Sequence, residues 1–188
     1  MIDFLIYLLV MSISPGPNPI LSMANAAAVG LKRGIRLNFG MLTGITIVTA
    51  LDFLIAFFLY TYVPEAEGAI KVLTFAYLLY LAWKMYMKGS LTTDKKGATF
   101  RDGLLLQLVN AKVYMMALTC LVSYIFPLTD TLGESILLSL LIPLICFLTG
   151  LVWAVGGSML SSLYASHRKA VCTVLALSLV YCAARLFW

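Results

Sequence analysis

Two stretches without a charged residue, 4–31 and 135–166, restrict what this chain can become more than any other feature. A membrane-spanning helix needs about 20 consecutive apolar residues, and each stretch is longer than that. A water-soluble domain of 188 residues could not hide such segments, because so much of a small domain lies at its boundary. Composition agrees: 62% of the chain is hydrophobic and 11% charged, against roughly 45–50% and 25% in soluble domains. The expected fold is therefore all-α and integral to a membrane. The net charge of +5 does not signal a nucleic-acid partner, because the basic residues sit in short loops between apolar runs, as membrane topology requires.

The apolar runs predict six transmembrane helices at roughly 4–29, 39–61, 69–87, 104–126, 135–157 and 170–187, forming a single transmembrane domain over 1–188. Lys71 and Lys84 bound the third and can snorkel outward. The N-terminal Met-Ile-Asp-Phe lacks the basic start of a signal peptide, so the first run is expected to remain as a helix. Loop charge alternates. Lys32, Arg33 and Arg36 fall in the predicted 30–38 loop; Lys84, Lys88, Lys95, Lys96, Arg101 and Lys112 in the third; Arg168 and Lys169 in the fifth. The second and fourth loops are acidic, with Glu65, Glu67, Asp130 and Glu134. By the positive-inside rule the basic loops are cytoplasmic and both termini lie outside.

An internal repeat follows. Tyr80-Leu-Ala-Trp-Lys84-Met-Tyr86 is echoed by Tyr181-Cys-Ala-Ala-Arg185-Leu-Phe187, and Leu42-Thr43-Gly44 by Leu148-Thr149-Gly150, at offsets of about 101 and 106 residues. Halves of roughly 1–90 and 100–188 with three spans each would insert with opposite topology, a 3+3 inverted repeat of the kind secondary transporters use. Chance likeness between apolar segments is the alternative.

The first span is interrupted by Ser14-Pro15-Gly16-Pro17-Asn18-Pro19. Proline lacks an N–H and clashes with the preceding turn, so the helix is expected to break at Pro15-Gly16-Pro17. Backbone freed in hydrocarbon must find partners or line a wet cavity. The half-helix starting near Asn18 would present its positive end to the break, a place for a substrate carboxylate; a packed kink without ligand is the other reading. Gly30, Gly34, Gly40 and Gly44 run into span two as a ladder suited to close helix packing, within one chain or between two copies in a homodimer. Thr43 and Asn38 are placed toward the cavity. Asp52 is the only acid inside a span; an unpaired carboxylate there costs several kcal/mol. It could meet a substrate ammonium, carry a coupling proton, or reach water at the outer interface. Gln107, Asn110 and Lys112 open span four, where Lys112 could meet a carboxylate or serve as a cytoplasmic anchor. Asn25 is a further candidate for substrate binding. The aromatic residues Tyr60, Tyr62, Tyr80, Trp83, Tyr86 and Trp188 read as interfacial belts.

Ser14-Pro-Gly-Pro-Asn18, followed by Gly30-x-x-x-Gly34 and Gly40-x-x-x-Gly44, resembles the lysine-exporter/homoserine-threonine-resistance superfamily of bacterial amino-acid exporters, and the resemblance covers the whole chain. Leu106-Gln-Leu-Val-Asn110-Ala-Lys112 is similar to the superfamily's Asn-Pro-Lys motif, with Ala111 in place of the proline. That substitution removes one reason to expect span four to break as span one does. This segment and the tail 174–187 look most like the branch that exports cysteine and O-acetylserine. The resemblance implies efflux of a small neutral amino acid or derivative across the bacterial inner membrane, coupled to protons. Export of homoserine, threonine or a basic amino acid is the alternative it leaves.

Other classes fit less well. Cys120, Cys146, Cys172 and Cys182 form no CxxC and no metal spacing, and spans one to three contain no cysteine, which argues against a membrane redox protein. No His/Glu metal set, GxSxG or acidic pair supports an intramembrane enzyme. A metal-ion exporter would find few ligands in Asp52 and the lone His167, and the broken helix argues against a scaffold subunit. Neither a cofactor nor a bound metal is expected.

Overall fold

The structure is a computed structural model that describes residues 1–14, 16–62 and 97–156, with scattered helical positions between 72 and 83 and between 173 and 184. Predicted spans three and six, the repeat at Tyr80 and Tyr181, the Lys84 and Arg185 anchors, His167, Cys172 and Cys182 belong largely or wholly outside the described residues. All regular structure among the described residues is helical.

The first apolar run forms two helices, α1 (Ile2–Ile13) and α2 (Pro17–Val29), inclined at 49° to one another. Pro17 opens α2, where its missing N–H deprives no carbonyl of a partner. Gly30, at φ +80°, a backbone region that glycine enters freely, turns the chain directly into α3 (Leu31–Tyr62). This corrects the expected loop over 30–38. Leucine, lysine and arginine are good helix formers, so Lys32, Arg33 and Arg36 occupy the first turns of a 32-residue helix. At 1.5 Å per residue that helix is about 48 Å long, well over a hydrocarbon core of about 30 Å.

Span four departs from expectation more sharply. Instead of one helix over 104–126, the chain forms α4 (Phe100–Leu108), breaks at Val109 and Asn110, and resumes as α5 (Ala111–Thr119). A π-helix follows over Cys120–Ile125, immediately ahead of the proline-containing turn Phe126–Leu128. A reciprocal capping box starts α4: Asp102 N–H donates to Thr99 Oγ1, and Thr99 N–H donates to the Asp102 carboxylate. The break needs no proline. Asn110 takes a non-helical conformation and its side-chain oxygen accepts from Lys112 N–H at 3.2 Å, which caps α5. Span five begins slightly earlier than expected, at a second capping box between Thr131 and Glu134, and comprises α6 (Leu132–Ser139) and α7 (Leu141–Val155).

Leu31–Leu59, Ala111–Leu128 and Leu132–Val155 are each long and apolar enough to cross a bilayer, and the bent α1–α2 pair, taken together, has the length and apolarity of a broken span or a re-entrant loop. Their outer faces display large apolar side chains: Leu54 is 68% exposed, Phe58 57%, Leu137 69% and Val152 58%. Apolar surface on this scale is stable against lipid and not against water.

The interior has two characters. Phe4, Tyr7, Leu8 and Met11 of α1 pack with Ile45, Val48 and Ala56 of α3, with Val113 and Met116 of α5, and with the π-helix in one apolar core. Polar side-chain contacts gather instead where α2, α4 and the first half of α3 meet. The glycine ladder makes that second region possible. A Cβ on Gly40 would strike the Phe100 carbonyl, and one on Gly103 the Leu37 carbonyl. At Gly44 it would lie 2.7 Å from Gln107 Cβ, and at Gly34 3.0 Å from Ala26 Cα. These glycines therefore bring helices of the same chain together.

Candidate functional site

The two breaks meet. Asn18, in the first turn of α2, and Gln107, in the last turn of α4, form a reciprocal amide pair: Asn18 Nδ2 donates to Gln107 Oε1 at 2.8 Å, and Gln107 Nε2 donates to Asn18 Oδ1 at 3.0 Å. Asn110 Nδ2 donates to the same Asn18 oxygen at 3.3 Å. Gln107 is fully buried and Asn110 nearly so, and polar side chains persist at such depth when they satisfy one another. Lys112 completes the junction. Its ammonium crosses to the end of α1 and donates to the Ser14 carbonyl at 3.1 Å and to Ser14 Oγ at 2.6 Å. A cation is stabilised there because the C-terminal end of a helix carries partial negative charge.

A cavity that is partly open to the exterior lies beside this junction. Gly16, Pro17, Asn18 and Pro19 form one wall, Asn110, Lys112, Val113 and Met116 a second, Asn38, Met41 and Ile45 of α3 a third, and Cys146, Phe147, Thr149 and Gly150 of α7 the last. Met11 and Ser12 close the end toward α1. Glycine at position 16 keeps the lysine accessible, since a Cβ there would lie 3.3 Å from Lys112 Nζ.

The electrostatics have one sign. The N-terminal ends of α2 and α5 both face this space, each with a partial positive charge, and Lys112 adds a full one. Among the described residues, no Asp or Glu lines the cavity. Pro17 and Pro19 lack N–H groups, and Ile20 N–H is bonded to the Gly16 carbonyl, so the first turn of α2 supplies fewer donors than a broken helix alone suggests.

Of the residues singled out in the sequence, Gly16, Pro17, Asn18, Gln107, Asn110 and Lys112 come together at the junction. Pro15 is outside the described residues. Three others are elsewhere. Asn25 is buried, but its side chain bonds the backbone of Ala98 in both directions, at 2.7 and 3.2 Å, and so fastens the start of α4 to α2. Thr43 points to the exposed face of α3 and donates to the Phe39 carbonyl at 3.0 Å; the expectation that it faces the cavity is corrected. A threonine mid-helix satisfies its hydroxyl on the preceding turn without any cavity. Asp52 is 3% exposed yet is not among the cavity-lining residues, and among the described residues its Oδ2 has no hydrogen-bond partner.

Several lining residues were not assigned a role in the sequence: Ser12, Met41, Ile45, Cys146, Phe147, Thr149 and Gly150. Thr149 and Gly150 had a visible signal, since they repeat Thr43-Gly44. The others are ordinary apolar or small residues in apolar runs and carry none.

The family described as LysE type translocator matches residues 9–188. The cysteine/O-acetylserine efflux proteins of Salmonella typhimurium (strain LT2) and Salmonella choleraesuis (strain SC-B67) are each 33% identical over 187 residues, 98% of this chain and 96% of theirs. The protein of that name from Escherichia coli (strain K12) is 32% identical over the same length. No solved structure gives a significant match. Nearly the whole chain is covered by both the family and these relatives, and its helices are of membrane-spanning length and apolarity. The chain belongs to the LysE-type translocator family, multi-pass transporters of the inner membrane and not enzymes.

Proposed function

We propose that this protein exports a small neutral amino acid or derivative, of the cysteine/O-acetylserine type, from the cytoplasm. One observation carries the proposal: two helix N-termini and the Lys112 ammonium converge on a cavity that, among the described residues, no carboxylate lines. Such a site attracts a carboxylate. The α-ammonium of the substrate is received by carbonyls at the C-terminal end of α1. A basic amino acid would bring a second positive charge toward Lys112 with no acid to offset it, which favours neutral substrates. The names borne by the relatives agree with this reading.

Transport runs by alternating access, with halves at roughly 1–90 and 100–188 rocking against each other. The packing of α3 on α4, and of α7 on α1 and α2, supports two interleaved halves: span two leans on span four, and span five on span one. The apolar core around α1 and α5 closes the cavity on one side. With the termini outside, as loop charge suggests, that side is the outer one. Asp52, buried and with an oxygen that has no hydrogen-bond partner among the described residues, is assigned to the coupling proton of an antiport cycle and not to the substrate. Gly34, Gly40 and Gly44 are not assigned to a homodimer contact, because they already meet their own chain.

The test is efflux from cells preloaded with labelled cysteine, O-acetylserine, threonine or lysine, comparing wild type with Asn18→Ala at matched membrane abundance. Wild type is expected to export cysteine and O-acetylserine, and Asn18→Ala to lose both. Export of lysine alone, or an Asn18→Ala variant as active as wild type, would contradict the proposal.

A further inference from the structure

One wall of the cavity holds a buried donor that finds no acceptor among the described residues. Asn38 is 2% exposed and lines the cavity, and its Nδ2 has no hydrogen-bond partner there. Its orientation is fixed from behind: Ser22 Oγ donates to Asn38 Oδ1 at 3.0 Å, so the amide nitrogen is the atom turned away from Ser22. The space beside that nitrogen is kept open by Gly150, where a Cβ would lie 3.4 Å from Asn38 Nδ2 and 3.8 Å from Ser22 Oγ. Burying a donor without an acceptor is unfavourable, and native structures rarely do it away from a ligand or an ordered water.

We infer that Asn38, held by Ser22 and given room by Gly150, is the specificity-determining donor that receives a hydrogen-bond acceptor on the substrate side chain. The inference rests on the exporter reading above and names the part of the substrate this wall recognises. With the carboxylate at Lys112 and the junction, the side chain extends across the cavity toward α3 and α7. An ester carbonyl, as in O-acetylserine, is a strong acceptor that reaches the amide; a thiol is a weak one. Asn38 therefore favours the acetylated substrate over cysteine and contributes little to binding their common backbone.

Two variants test this by different routes. Asn38→Ala removes the donor. Gly150→Ala leaves the donor but places a methyl beside it, and alanine in place of glycine inside a helix favours the helical state, so folding of α7 is not at risk. Full-length protein in liposomes is assayed for transport of labelled O-acetylserine and labelled cysteine, alone and in competition. Each variant is expected to lower the preference for O-acetylserine over cysteine by about five- to tenfold, the worth of one hydrogen bond. Cysteine transport is expected to fall by less than O-acetylserine transport in each variant. Loss of both substrates in equal proportion, or an unchanged preference in both variants, would overturn the assignment of Asn38 while leaving the exporter reading intact. If wild type transports neither substrate, the exporter reading itself fails and this inference falls with it.

Discussion

Replacing Lys112 with methionine keeps the length and apolar stem of the side chain and removes only the ammonium. In the free protein the change deletes two charge-assisted hydrogen bonds, to the Ser14 carbonyl and to Ser14 Oγ. It leaves those groups at a helix end that already accepts poorly solvated charge. In the bound state it also deletes the cation facing the substrate carboxylate. Removing one partner of a buried, hydrogen-bonded charge pair costs about 2–5 kcal/mol, which is roughly 30-fold to several thousand-fold in affinity. The assay is transport into liposomes with cysteine and with cysteamine, which has the ammonium and thiol but no carboxylate. Wild type should prefer cysteine strongly; Lys112→Met should lose that preference because cysteine transport falls while cysteamine transport does not. Retention of the wild-type preference in Lys112→Met would show that the carboxylate is bound elsewhere, and would refute the electrostatic reasoning for the junction.

Gly40→Ala would force a methyl into the Phe100 carbonyl; overpacking at such contacts costs about 1–3 kcal/mol or more, so thermal unfolding in detergent should shift clearly downward. Gly133, which has nothing within 4 Å of a built Cβ, serves as the control, and Gly133→Ala should unfold at or above the wild-type temperature. Asp52→Asn preserves shape and removes the titratable group. It should leave substrate exchange between liposome compartments intact and abolish accumulation driven by a proton gradient; unimpaired proton-driven accumulation would remove Asp52 from the coupling role.

The break in span one was legible because proline announces itself: no helix accommodates Pro15, Gly16, Pro17 and Pro19 in succession. The break in span four was not, since it is made by Asn110 capping Lys112 N–H, and asparagine inside an apolar run reads equally well as a buried polar residue. The same ambiguity misplaced Thr43. A GxxxG-flanked threonine has no periodicity that says which side of α3 faces protein, and the packing of Gly40 and Gly44 against α4 turns Thr43 to the outside. The charge cluster at Lys32, Arg33 and Arg36 read as a loop because charge ends a hydrophobic run, although it does not end a helix. Asn25 reads in the sequence as a candidate for substrate binding, but its partner Ala98 is distant in sequence, and only the folded chain shows that it ties α4 to α2. Asn38 was suspected of facing the cavity; its unsatisfied nitrogen depends on Ser22 and Gly150, three residues that no local pattern links.

The central claim is that the substrate sits where the two broken helices meet, and Cys146 permits a direct measurement because it lines that cavity in the wild-type chain. With Cys120, Cys172 and Cys182 replaced by alanine, Cys146 is the only thiol, and its rate of reaction with a small membrane-permeant thiol reagent can be followed as O-acetylserine is added. The account predicts protection that saturates with O-acetylserine and is absent in Lys112→Met. A labelling rate unaffected by O-acetylserine, in a protein that still transports it, would place the substrate elsewhere and contradict the account.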